Sequence, residues 1–166
     1  MDIAKEIGVS HAALYAHFKD KSALLDAVSE RWLTKIDQDL ETVSKRADDP
    51  CEKIHAWMLA LHQSKLEKVK HDPELFKAYN RSADPEKAFI IRHLENLRYQ
   101  LIGLVQEAIA KRNLPTADPS LMASILFESM ISFHHPRLVA QHLDENREAL
   151  LLLVLESVLR GLKLKD

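Results

Sequence analysis

The sequence is poor in the residues that cross-link or punctuate a chain. Cys51 is its single cysteine, which excludes an internal disulfide and any zinc centre built on several cysteine ligands. The start MDIAKEIG lacks the basic opening and apolar core of a secretory leader, so the thiol is expected in a reducing, cytoplasmic setting. Only three glycines, six prolines and 6 % aromatic residues are present. Leu, Ala, Glu and Lys dominate instead, a balance that favours helices over strands. No apolar run nears the roughly 18 residues of a membrane span, so no membrane partner is expected. The net charge of −2 gives no global sign of a nucleic-acid binder, and such a partner must be announced by a local motif. The chain is long enough for one sizeable core, or for two helical subdomains sharing a long helix.

Helix punctuation is what the sequence does have. Asp-Pro occurs at Asp49-Pro50, Asp72-Pro73, Asp84-Pro85 and Asp118-Pro119, each ahead of an apolar-periodic stretch. An N-cap Asp accepts from free backbone N–H groups, and Pro in the first turn gives up no bond the helix needs. With Asp144 as a fifth cap, these starts predict helices over 50–71, 73–81, 85–112, 119–135 and 145–163, with a short piece from Pro136 to His142. Ahead of them, Leu24, Leu25, Val28, Trp32, Ile36, Leu40 and Val43 make one amphipathic helix from Lys21 to about Arg46. The stripe of helix 85–112 reads Ile90, Leu94, Leu97, Leu101, Leu104 and Ala108. No strand pattern appears, and the fold class is all-α.

Residues 2–18 carry a denser signal. A short helix with Ile3, Ala4 and Ile7 on one side stops at Gly8, which adopts the left-handed turn other residues resist. Val9 plugs the corner, and Ser10 caps a second short helix that turns Ala13, Leu14 and Phe18 inward. Two short helices, a glycine turn and these apolar offsets describe a helix-turn-helix, whose second helix enters the major groove of double-stranded DNA.

The stretch IAKEIGVSHAALYAHFKDKSALLDAV, with its LY-x-H-F-x-x-K ending, resembles the DNA-binding segment of the TetR family of transcriptional regulators. The resemblance implies a helix-turn-helix joined by a long helix to a helical-bundle domain for effector binding and dimerisation, here residues 1–46 and 47–166. It also implies a ligand-responsive regulator, usually a repressor, that binds a palindromic operator as a homodimer. Carried over residue by residue, the exposed recognition face is Ser10, His11, Ala12, Tyr15 and His17, followed by Lys21. The first positions face base edges, whereas Tyr15, His17 and Lys21 match positions that touch phosphate. Two features depart from the family pattern. The first of its three N-terminal helices has no counterpart after Met1, and residues 1–46 hold seven Lys or Arg against eight Asp or Glu. DNA affinity rests largely on neutralised phosphates, so the chain as it begins here is expected to bind weakly. The reading frame before Met1 is where such a helix would be encoded.

The remaining sequence suits a sensing domain. An effector pocket is expected among helices 50–71, 85–112 and 119–135, with Trp57, Leu61, Phe76, Tyr79, His93, Leu97, Phe127, Met130, Ile131 and His134 as candidate lining. Many apolar and few polar groups imply a small, mostly apolar effector. The last helix is apolar nearly all round, from Leu150 to Leu162, and helix 119–135 spreads apolar residues over more than one face. Pairing both with their copies in a second chain would make a four-helix dimer interface.

No catalytic pattern accompanies these features: there is no nucleophile and base at a suggestive spacing, no phosphate loop and no paired carboxylates. No enzyme activity and no cofactor are expected. His55 and His62 lie seven apart and His134 and His135 are adjacent, neither being a metal-ligand spacing, so no metal is expected. His134 and His135 are read as ending a helix ahead of Pro136. Cys51, in a helix first turn, is expected to have a somewhat lowered thiol pKa. The alternative to a DNA-binding regulator is a helical interaction or sensor protein that no longer binds DNA.

Overall fold

The computed structural model describes residues 18–71 and 87–163. Among them every regular element is helical: α1 (Lys21–Ser44), α2 (Pro50–His71), α3 (Ala88–Ala110), α4 (Pro119–Ser129), α5 (Ile131–His134), α6 (Pro136–Val139), a 3-10 turn at Ala140–His142, and α7 (Glu148–Lys163). The helix-turn-helix of residues 2–17 and the helix expected over 73–81 lie outside the described residues. No described helix is long and apolar enough to cross a membrane.

Local chemistry sets most of the boundaries. Asp20 accepts from the Ala23 amide at 2.8 Å and opens α1. Asp49 accepts from the Cys51 amide and Asp118 from the Ser120 amide, both at 2.9 Å, so two of the Asp-Pro pairs cap as expected. The start of α3 departs from expectation. It begins at Ala88 rather than 85, Lys87 at its N-cap makes no side-chain cap bond, and the Lys87 ammonium instead reaches Asp26 of α1 at 2.6 Å. The last helix starts at Glu148 rather than 145, with Asn146 rather than Asp144 accepting from the first helical amide at 3.2 Å. Helix 119–135 is not continuous: Met130 leaves helical geometry at φ −97°, ψ 8°, and the chain re-enters a helix for one turn. His135, extended ahead of Pro136, ends that turn, as a residue before proline tends to.

The helices pack as a bundle in which α3 touches α1, α2 and α4, while α2 also meets α7, α5 and α6. One core runs through it, from Leu33, Ile36 and Leu40 of α1 through Trp57 and Leu61 of α2 and Leu97 and Leu101 of α3 to Leu126, Leu151, Leu155 and Leu159. A second, separate cluster holds Leu24 with Phe18 and Val28. The helix α1 therefore serves two cores, one at each end. Its buried side is rotated slightly from the expected stripe: Leu33 is buried, whereas Val28 and Trp32 are half-buried. On α3 the expected Leu94 is exposed and His93 takes the inward place. On the far side, Leu121 and Ile125 of α4 and Leu150, Leu152 and Leu153 of α7 are exposed, opposite the buried stripe Leu151, Leu155, Leu159 and Leu162.

The end of α3 stores strain. Arg112 adopts φ 61°, and the Asn113 amide donates to Ala108 O at 2.8 Å while the Arg112 amide donates to Ile109 O at 3.0 Å. This is a helix-terminating motif that glycine fills without steric cost. Arg112→Gly should therefore stabilise the fold by about 1 kcal/mol, read from urea unfolding. A loss of stability would show that the arginine side chain contributes more than its backbone costs.

Candidate functional site

Polar groups inside an apolar bundle are costly unless each finds a partner, and here they gather around Asp37. Two turns before its end, α1 carries Asp37 beside the buried Ile36, facing α3. The Asp37 carboxylate accepts from His93 Nδ1 at 2.5 Å and from Asn96 Nδ2 at 2.9 Å. Its backbone carbonyl accepts from Gln100 Nε2 at 2.9 Å, and Gln100 Oε1 in turn accepts from the Trp57 indole at 3.0 Å. With Nδ1 donating to the carboxylate, the other ring nitrogen of neutral His93 is a lone-pair acceptor. It accepts from the Lys65 ammonium of α2 at 2.9 Å. Asp37, His93 and Lys65 thus form one polar chain across α1, α3 and α2, and Gln100 with Trp57 forms a second.

Burial dominates the electrostatics of this chain. The Lys65 pKa is pulled down to about 7 by loss of water, opposed by the charge of Asp37. His93 is pulled down to about 4 by burial and then by the Lys65 charge, against its bond to Asp37. Burial also brings His134 to about 4. Two further imidazoles satisfy carbonyls that the break at Met130 and the stop at Pro136 leave short of helical donors. His134 Nε2 donates to Phe127 O at 2.9 Å, and its ring stacks on Phe127 at 4.2 Å. His62 Nδ1 donates to Phe133 O at 2.7 Å. His93, His134 and His62 each have a separate partner, and among the described residues no three metal-ligating side chains converge. Contrary to the expectation from its place in a first turn, Cys51 has a raised pKa, because burial outweighs the field of the nearby Lys163.

The expected pocket residues divide into four groups. Trp57, Leu61, Leu97 and Met130 are almost fully buried and pack into the common core. His93, His134 and the half-buried Phe127 stand at the polar groups just described, whereas Ile131 is exposed. Phe76 and Tyr79 lie outside the described residues. A groove of about 800 Å³ opens between α1 and α3, with Asp37, His93, Asn96 and Gln100 in its lining; His93 is the one residue it shares with the expected set. Of the expected DNA contacts, Lys21 is exposed in the first turn of α1. Ser10, His11, Ala12, Tyr15 and His17 lie outside the described residues. Lys65 and Asp37 escaped the sequence reading, although Lys65 sits in register between Leu61 and Val69 on the inward face of α2.

Comparison with known proteins adds independent findings. A family model for bacterial regulatory proteins of the tetR family matches residues 1–28, and a model for the tetracyclin repressor-like C-terminal domain matches residues 50–154. Among solved structures, a TetR-family transcriptional regulator from Pectobacterium atrosepticum is similar at TM-score 0.68 and 23 % identity, over 99 % of this chain and 83 % of that one. A protein of unknown function from Rhodococcus sp. RHA1 is similar at TM-score 0.65 and 25 % identity, over 96 % and 82 % of the two chains. No curated protein matches the sequence.

The lowered pKa of Lys65 fixes the sign of a pH dependence. Between about 7 and 10.5 the unfolded lysine holds more protons than the folded one, so stability rises with pH across that window. His93 and His134 act likewise between about 4 and their ordinary value of 6.5, and their contribution is lost as pH falls through that range. Urea unfolding from pH 7 to 9.5 should show wild type gaining stability relative to Lys65→Met. Parallel profiles for the two proteins would mean that Lys65 keeps an ordinary lysine pKa in the fold.

Proposed function

Because the chain belongs to the TetR family of bacterial regulatory proteins, we propose that it is a ligand-responsive transcriptional repressor. It binds a palindromic operator as a homodimer and releases it when a small, mostly apolar effector enters the bundle. The observation that carries this reading is the course of α1. This helix begins inside the segment matched by the N-terminal family model and continues unbroken into the main core, where Asp37 ties it to α2 and α3. A rearrangement around α2, α3 and α4 would therefore tilt the helix that carries the reading segment.

That tilt matters because two recognition helices must sit about 34 Å apart to reach successive major grooves. An effector that prefers the tilted state weakens operator binding, and the operator weakens effector binding by the same factor. Base edges are read by Ser10, His11 and Ala12, while Tyr15, His17 and Lys21 hold phosphates; the exposure of Lys21 in the first turn of α1 fits such a role. The dimer forms through α4 and α7, whose exposed leucines lie opposite the stripe already used by the core. The lack of basic excess over residues 1–46 favours a second reading, a helical sensor or interaction protein that does not bind DNA.

One titration separates the two readings. Duplexes are selected from a random pool at low salt, and binding is followed by fluorescence anisotropy. The regulator reading expects a palindromic site. His11→Ala should change base preference, whereas Lys21→Ala should weaken binding to all sequences and flatten the salt dependence by about one unit. Selection of no sequence would favour the sensor reading. Replacing Leu150 and Leu153 together by Glu should give monomers in sedimentation and abolish binding to the palindrome. A dimer that survives this change uses another face.

A further inference from the structure

The bundle buries two lysines and treats them differently. Lys53 of α2 meets the Glu107 carboxylate of α3 at 2.8 and 3.1 Å, so its charge is paired on the spot. Lys65, three turns further along the same helix and only 5 % exposed, has no carboxylate within ion-pair distance among the described residues. Its one hydrogen-bond partner there is the neutral His93 ring, and the Trp32 face lies 5.0 Å from the ammonium. An ammonium has three N–H donors. Asp37, the nearest carboxylate, is held by His93 and Asn96 and stands one imidazole away. A buried cation without a counter-ion is among the costlier arrangements a core can hold.

We propose that Lys65 is the anchor for the effector's head group, and that this group is a single carboxylate on an apolar body. The proposal rests on the effector reading above and names the chemistry of its ligand. A carboxylate supplies the negative charge that Glu107 supplies to Lys53, and it accepts the remaining ammonium donors in charge-assisted bonds. One negative charge is the limit. Asp37 already stands beside the site, and the rings of His93 and His134 commit their N–H groups to Asp37 and Phe127 O; the Lys68 ammonium lies further out, 5.8 Å from the centre of the Trp32 ring. A phosphate dianion would set two negative charges beside Asp37 against one buried ammonium. The body of the ligand is apolar because the half-buried Trp32 ring, which packs against the core, lies 5.0 Å from the ammonium. With Lys65 near 7 in the empty protein, an anion seated on it draws the amine back to its charged form.

The test uses the whole chain with decanoate and decanol as probes of equal length. Isothermal titration should show decanoate binding at least about tenfold more tightly than decanol. At pH 8, repeating the titration in buffers of different ionisation enthalpy should show proton uptake with decanoate and none with decanol. Lys65→Met, which keeps the length and removes a buried charge, should bind both probes alike and take up no proton. The proton measurement on wild type stands even where the variant does not fold. Equal affinity for the two probes in wild type overturns the carboxylate assignment while leaving an apolar pocket intact. Binding of neither probe overturns the assignment together with the effector reading beneath it.

Discussion

The constraint on which the bundle depends is that Asp37 must keep its carboxylate hydrogen-bonded at the edge of an apolar core. It does so with donors from α3 alone, His93 and Asn96, while its own carbonyl takes a third donor, Gln100, from the same helix. Two of those donors continue into α2, through Lys65 and Trp57. The apolar contacts of Leu33, Ile36 and Leu40 carry no directional preference. The hydrogen bonds do, and losing the one to His93 would leave a buried polar group without its partner. Register between α1 and the rest of the bundle is thus set by polar groups, while the cohesion comes from leucines.

This division explains what could be read from the sequence. Helix starts are local events, so Asp49 and Asp118 announced α2 and α4, and the apolar period carried α1 to within two residues of its observed end. The failures were tertiary. Leu94 fits an apolar stripe as well as any residue, yet the inward position belongs to His93, because the polar surface of α1 faces it. Met130 carries no glycine or proline to mark a break. The interruption is stabilised from outside, by His134 on the Phe127 carbonyl, a partner seven residues away. Asn146 displaced Asp144 as a cap through geometry that composition does not encode. The candidate site was half legible. His93, Phe127 and His134 stood out as polar or aromatic residues at core positions, but a lysine or aspartate is read as surface unless its register is weighed above its charge. Lys65, between Leu61 and Val69, is the clearest such case.

The same arrangement gives the family assignment a physical mechanism. The helix α1 has one small core at its N-terminal end, around Leu24, and joins the large core from Leu33 onward. A rigid helix spanning both transmits a tilt rather than absorbing it, because close-packed cores offer few intermediate arrangements. A ligand on Lys65 would act at the far end of the chain that holds Asp37. It would take the donors that His93 leaves free, draw the ammonium towards itself and so strain the Lys65–His93 bond, part of the tie that fixes the angle of α1. Under the proposed function, effector and operator would then oppose one another through a single shared helix.

The most direct measurement of that opposition is the operator affinity of the dimer at increasing decanoate concentration, followed by anisotropy on a labelled palindromic duplex. The account predicts that the apparent Kd rises with decanoate and then levels off at a plateau. The plateau ratio should equal the factor by which saturating operator weakens decanoate binding. A carboxylate that binds the bundle while leaving operator affinity unchanged would contradict the account, because the Asp37 chain would then hold α1 in place without carrying any signal along it.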